Sequence, residues 1–114
     1  MSAITTHVLD TSRGCPAGGV PVLLEMQDAG GEWRAIGQGV TDDDGRLRDL
    51  LHSGSQLAAG VYRLTFNTTT YFSSCGEDSF YPEVAVVFSV RDASQHFHVP
   101  LLLNPYGYST YRGS

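Results

Sequence analysis

Positive charge is scarce in this chain of 114 residues. Seven Lys and Arg stand against twelve Asp and Glu, a formal net charge of -5. That balance excludes a nucleic-acid partner, because phosphates demand clustered basic side chains. Long apolar runs are also missing. No stretch of 18 apolar residues occurs, so no helix spans a membrane. The first residues, MSAITTHVLD, lack both the basic start and the apolar core of a signal peptide. The last three residues are not the SKL peroxisomal address. Cytoplasm is therefore the expected location. Cysteine is limited to Cys15 and Cys75, far apart and in no CxxC pattern, so two buried or idle thiols are expected and not a disulfide. Repeats, linkers and low-complexity stretches are absent.

The residues that are present describe a globular chain, 41% hydrophobic and only 17% charged. Its length fits one domain, residues 1–114, which buries roughly two-thirds of its unfolded surface. Low charge and six tyrosines point to surface reserved for subunit contacts. The dominant pattern has period two. Strands are expected at ITTHVLD (4–10), VPVLLEMQD (20–28), WRAIGQGV (33–40), VYRLTFN (61–67), FYPEVAVVFSV (80–90), QHFHVPLLL (95–103) and in YSTYR near the end. In the fifth of these, Phe80, Val84, Val86, Phe88 and Val90 are expected to face inward. TDDDGR (41–46) reads as a tight turn, its Asp-Gly pair supplying positive φ. TTTYFSSCG (68–76) breaks the alternation and reads as a short helix, capped by threonine and closed by Gly76. Seven or eight short strands at this spacing indicate an all-β sandwich.

Segment 95–103 is apolar on both faces. Phe97, Val99, Leu101 and Leu103 point one way, and His96, His98, Pro100 and Leu102 the other. One face serves the core. The second is expected to be covered as well, most simply by another subunit. Histidines buried there need partners, so they are either satisfied packing groups or working groups. Directly after the apolar and aromatic run HFHVPLLLNPYGYST (96–110) come Tyr111, Arg112, Gly113 and Ser114, with no polar spacer. The tail is expected to sit inside a site, offering a phenol, a guanidinium, a hydroxyl and a terminal carboxylate.

HVLDTSRGCPAGGVPV near the start and HFHVPLLLNPYGYST near the end resemble the two signatures of the transthyretin superfamily. The YRGS ending, with His7, Arg46 and His98, resembles its enzymatic branch, the 5-hydroxyisourate hydrolases. The hormone-carrier branch lacks both histidines, the arginine and that ending. The departures are Phe97 where tyrosine is more common, Asn104 where serine is usual, and Cys15 where a basic residue is frequent. The resemblance implies a transthyretin-like, two-sheet, eight-stranded β-sandwich with one short helix. It also implies a homotetramer, a dimer of dimers, with sites at the dimer–dimer interface. The strands holding His7, His98 and the C-terminus would share one sheet.

By the same resemblance His7, Arg46 and His98 form a catalytic trio, while Tyr111, Arg112 and Ser114 bind the substrate. The substrate would be 5-hydroxyisourate, the unstable product of urate oxidation in purine breakdown. No cofactor or metal is implied. Taken singly, each member of the trio has an ordinary reading: His7 as a strand histidine, Arg46 as a solvated turn residue, His98 as packing. Their joint placement in the two signatures gives them weight. His52, His96 and Arg48 match no family site and are read as ordinary residues, and Tyr106 and Tyr108 as packing. Ring opening needs water deprotonated, an oxyanion stabilised and a nitrogen protonated. Neutral histidine suits the first and third tasks, and arginine's planar donor fork suits the second. Which histidine is base and which is acid stays open.

Two rivals deserve comparison. The His96–His98 spacing could serve a metal, but zinc wants three or four protein ligands and Arg46 would repel a cation. The alternative function is a non-catalytic carrier of an aromatic ligand. Two histidines, an arginine and a tyrosine make too polar a channel for that role.

Overall fold

Alternating apolar side chains need two surfaces to bury against each other, and the chain supplies them as two sheets. The computed structural model describes residues 3–51 and 56–114; His52 lies outside the described residues. The elements are β1 (Ile4–Asp10), β2 (Cys15–Pro16), β3 (Pro21–Gln27), β4 (Trp33–Val40), β5 (Arg46–Leu47), β6 (Gly60–Phe66), α1 (Thr68–Ser74), β7 (Val84–Val90), β8 (Phe97–Asn104) and β9 (Gly107–Thr110). One sheet runs β2-β1-β8-β9, with β5 also on β1; the other runs β4-β3-β6-β7. Strands β1 and β8 are parallel, and every other pairing is antiparallel. This is the two-sheet sandwich with one short helix expected from the pattern. Among the nine described strand segments, β2 and β5 are only two residues long.

The core lies between the sheets. Ile4 and Val8 of β1 and Leu101 of β8 meet Leu24 of β3 and Leu64 and Phe66 of β6, all fully buried. Phe97, Val99, Leu101 and Leu103 face this core, as their alternation predicts. Phe80 does not. It is 69% exposed, because β7 begins only at Val84, and Phe80 belongs to the connection before it. Its backbone N–H donates to the Pro105 carbonyl at 2.7 Å, and its ring packs edge-on against Tyr81.

The helix forms where expected but is capped differently. Asn67 is its N-cap, and its side-chain oxygen accepts from the Thr70 N–H at 3.1 Å. The threonines are engaged elsewhere: Thr68 Oγ1 donates to the Tyr81 carbonyl and Thr69 Oγ1 to the Pro82 carbonyl. At the other end Gly76 takes φ 72°. Glu77 N–H then donates to Phe72 and Gly76 N–H to Ser73, the paired pattern that closes a helix on a left-handed residue. Cys15 is exposed, Cys75 is half-buried, and both thiols are free. No described helix is long and apolar enough to cross a membrane.

Candidate active site

β1 sits inside its sheet with neighbours on both edges. Ile4, Thr6, Val8 and Asp10 are buried toward the core side, which leaves Thr5 and His7 on the outer face. The register then decides who meets whom. Thr5 stands opposite His98 on β8, and His7 stands opposite Arg46 on β5. His7 and His98 are thus diagonal neighbours on one face, with Arg46 beside His7.

The 41–46 turn presents Arg46. Asp42 Oδ1 accepts from the backbone N–H groups of Asp44 and Arg46, both at 2.9 Å, and Gly45 N–H donates to the Asp42 carbonyl. Gly45 has φ 75°, and a Cβ there would come 2.3 Å from the Val8 carbonyl oxygen. Only glycine meets both demands, so the turn can lie flat against β1. It also orients His7, whose Nε2–H donates to the Asp44 carbonyl at 2.9 Å. A carbonyl only accepts, so neutral His7 keeps its lone pair on Nδ1.

Beside them is a cleft of about 240 Å³ lined by Thr5, Thr6, Arg46, Arg48, His96, His98 and Ser114. Among these residues no side chain is acidic. Burial, and then the charges of His7, His96 and Arg46, hold the His98 pKa below its ordinary value of 6.5. His98 is therefore neutral at pH 7. His96 and His98 both turn toward the hydroxyl of Thr5. Among the described residues no group of three or more His, Cys, Asp and Glu could hold a metal ion. A larger hollow, about 710 Å³, lies on the other sheet between β3, β4 and the approach to β7. Glu83 is its one ionisable lining residue, whereas the smaller cleft carries Arg46, Arg48, His96 and His98.

The chain's last residues reach the cleft through Gly113. Its N–H donates to the His98 carbonyl at 2.8 Å, and a Cβ there would come 2.7 Å from His98 Cδ2. Glycine lets the backbone lie against the imidazole and delivers Ser114 to the cleft. The structure does not bring Arg112 there. The β8–β9 pairing and the His98–Gly113 bridge keep one register, which puts Arg112 opposite Val99, on the core-facing parity. Its guanidinium lies 4.6 Å from the centre of the Phe97 ring and donates to Gln95 Oε1 at 3.0 Å. Tyr111 is 59% exposed and, with Arg112, lines a separate hollow between β7 and β8.

Of the six residues expected at the site, Arg46, His98 and Ser114 line one cleft, His7 adjoins it, and Tyr111 and Arg112 are set apart within this protomer. Reasoning from the sequence missed Thr5 and Gly113, and it set aside His96 and Arg48, which line the same cleft. Thr5 carried a usable signal, since it lies two residues before His7 and shares its face. The bridge from His98 to Gly113 had no local signal.

A probable 5-hydroxyisourate hydrolase of Caenorhabditis elegans is 50% identical over 113 residues, covering 99% of this chain and 82% of that protein. The solved 5-hydroxyisourate hydrolase of Klebsiella pneumoniae superposes with a TM-score of 0.84 at 37% identity, covering 97% of this chain and 98% of its own. Sea bream transthyretin, solved in complex with thyroxine, superposes with a TM-score of 0.91 at 34% identity, covering 98% of this chain and 95% of its own. Backbone shape alone thus does not separate enzyme from carrier, and the site residues must. The pattern of the HIUase/Transthyretin family matches residues 4–113, and the chain belongs to that family.

Proposed function

We propose that this chain hydrolyses 5-hydroxyisourate, opening its six-membered ring to 2-oxo-4-hydroxy-4-carboxy-5-ureidoimidazoline in urate breakdown. The observation that carries this reading is the cluster on one sheet face. His7 stands opposite Arg46, and a neutral His98 lies diagonally beside them in a cleft without acidic side chains. His7 takes a proton from water with Nδ1, since Nε2–H is committed to the Asp44 carbonyl. The hydroxide adds to the activated ring carbonyl. Arg46 holds the oxyanion and the urate-like edge of carbonyl oxygens and ring nitrogens. The ring C–N bond breaks, and His98 shuttles the proton that the departing nitrogen takes up. General acid–base help of this kind is worth ~100 to 10,000-fold. Ser114 offers a hydroxyl at the cleft wall. Arg112 ties the tail to Phe97 and Gln95 rather than touching substrate.

The assembly belongs to the same proposal. Leu9 and Leu102 share the outer face with the site and are only half-buried in one protomer. Covering that face with a second dimer hides them and adds a wall to the cleft, which favours a homotetramer with sites between dimers. The register puts Tyr111 opposite Pro100, on the parity of the outer face, so a facing protomer would complete its role in substrate binding.

Purified protein added to freshly generated 5-hydroxyisourate should speed the ultraviolet decay of the substrate far beyond the buffer rate. A decay no faster than buffer sinks the proposal. A carrier would instead bind a hydrophobic iodinated phenol tightly without turnover, and the cationic, histidine-lined cleft argues against that.

A further inference from the structure

One hydroxyl serves two imidazoles. Thr5 Oγ1 lies 2.8 Å from His98 Nδ1 and 3.1 Å from His96 Nε2. Thr5 is only 3% exposed, whereas His96 is open to solvent. A hydroxyl has one proton to donate, and a neutral imidazole has one N–H and one lone pair. The bridge therefore has two self-consistent arrangements. In the first, His98 Nδ1–H donates to Thr5 and the Thr5 O–H donates to His96 Nε2. His98 then shows a bare Nε2, a base. In the second, His96 Nε2–H donates to Thr5 and the Thr5 O–H donates to His98 Nδ1. His98 then shows Nε2–H, an acid. No heavy atom moves between them.

We propose that Thr5 and His96 form a relay that sets which form His98 presents and exchanges its proton with solvent. The catalytic use of this relay rests on the hydrolase reading above. Starting from the first arrangement, His98 Nε2 accepts a proton in the cleft and becomes imidazolium. Its Nδ1 proton passes to Thr5 Oγ1 as the Thr5 proton passes to His96 Nε2. The positive charge is now on His96, which releases its Nδ1 proton to solvent. One proton has entered from the cleft and one has left, and His98 is a neutral acid. When His98 gives up its Nε2 proton, the chain runs backward. His96 takes a proton from solvent at Nδ1, its Nε2 proton passes to Thr5, and the Thr5 proton passes to His98 Nδ1.

The surroundings favour transit over storage of charge. His7 on β1, Arg46 on β5, Arg48 just beyond β5 and His96 before β8 face His98 with neutral or positive groups, the tail adds the Ser114 hydroxyl and the terminal carboxylate, and the charges that act on His98 are those of His7, His96 and Arg46. A cation held on His98 is therefore disfavoured, while exposed His96 can pass one to water. Thr5 touches no reacting atom in this scheme and acts as a positioning residue.

Thr5→Val keeps the side-chain shape and removes the hydroxyl; Thr5→Ser keeps the hydroxyl. Nitrogen-15 NMR of the imidazoles, read against pH without substrate, tests the bridge. Wild type and Thr5→Ser should show His98 sharing its proton between both ring nitrogens. Thr5→Val should shift that tautomer ratio by at least about threefold. In turnover, Thr5→Val and His96→Gln should each lower kcat by about tenfold or more and reshape its pH profile, with KM changed less than about twofold. Thr5→Ser should recover most of the loss. Unchanged His98 tautomers together with an unchanged kcat profile in Thr5→Val overturn the relay. If Thr5→Val does not fold, the exposed His96→Gln decides on the same two readouts. If wild type fails to turn over 5-hydroxyisourate, the hydrolase reading falls, and the NMR result still decides the bridge.

Discussion

β1 carries a polar cluster at each end, and the two differ in how fully their hydrogen bonds are committed. At the Asp10 end the carboxylate is completely buried. Oδ1 accepts from the Ser12 and Arg13 N–H groups and from Ser12 Oγ, while Oδ2 accepts from the Tyr71 hydroxyl at 2.7 Å. Arg13 Nε stands 3.4 Å away, and Arg13 also pairs with Glu77. Burial by itself would raise the Asp10 pKa, but the donors from Ser12, Tyr71 and Arg13 outweigh it and hold the carboxyl below its usual value. Burial and then Asp10 push the Tyr71 phenol upward, so it stays a donor. At the Thr5–His7 end one hydroxyl is shared between two rings, and Arg46 has no ion pair among the described residues. The committed cluster ties β1 to the helix. The uncommitted one is held in place by backbone yet keeps donors and lone pairs for a ligand. Polar groups that satisfy one another hold a fold, and polar groups positioned but unspent do chemistry.

The sharpest way to break this contrast is Arg46→Ala. Turnover should fall ~100 to 1,000-fold, as for loss of one oxyanion donor, while the melting temperature stays near wild type. An unfolded Arg46→Ala protein would make the two clusters alike. Tyr71→Phe tests the other end. It removes one donor from buried Asp10 and should cost about 1–3 kcal/mol in urea unfolding, with turnover per folded molecule unchanged.

pH separates the two ends along one axis. His98 has a depressed pKa, so the unfolded chain takes up its proton first. A small part of the stability should decline as pH falls below 6.5, and turnover should decline as pH falls through the lower folded value. Asp10 is depressed as well, but in the carboxylate range. Its contribution is complete above 3.8 and lost as pH falls through the lower folded value. Progress curves and far-ultraviolet circular dichroism should therefore show activity failing at a pH where the sandwich is intact. Coincident loss of both would erase the distinction. The smallest effect sets the scale. Glu25→Gln removes the Arg63 ion pair on the other sheet, where Arg63 also covers the Trp33 ring, and should change stability by about 1 kcal/mol or less.

Several of these features were legible before any coordinates. Alternation placed Phe97, Val99, Leu101 and Leu103 inward and His98 outward. The Asp44–Gly45 pair marked the turn that carries Arg46. Other features were not. Phe80 continued the apolar pattern of β7, but Pro82 and the bond from the Phe80 N–H to the Pro105 carbonyl hold it in the connection. Thr68 looked like a cap, but a hydroxyl near a helix start bonds whichever carbonyl the tertiary fold presents. Arg112 shared a motif with Ser114, yet tertiary contacts part them: Arg112 turns to Phe97 and Gln95, while the bridge from Gly113 to His98 carries Ser114 to the cleft.

The amino-acid pattern by itself determined which side chains face the core, where the chain reverses and which ionisable groups lie on an outer face, because a pleated strand has period two and glycine alone tolerates positive φ. The neighbours of each group were decided only by tertiary structure. Thr5 and His98 are 93 residues apart and meet because β1 and β8 pair in parallel in one register. No local interaction selects that register; the packing of two whole sheets does.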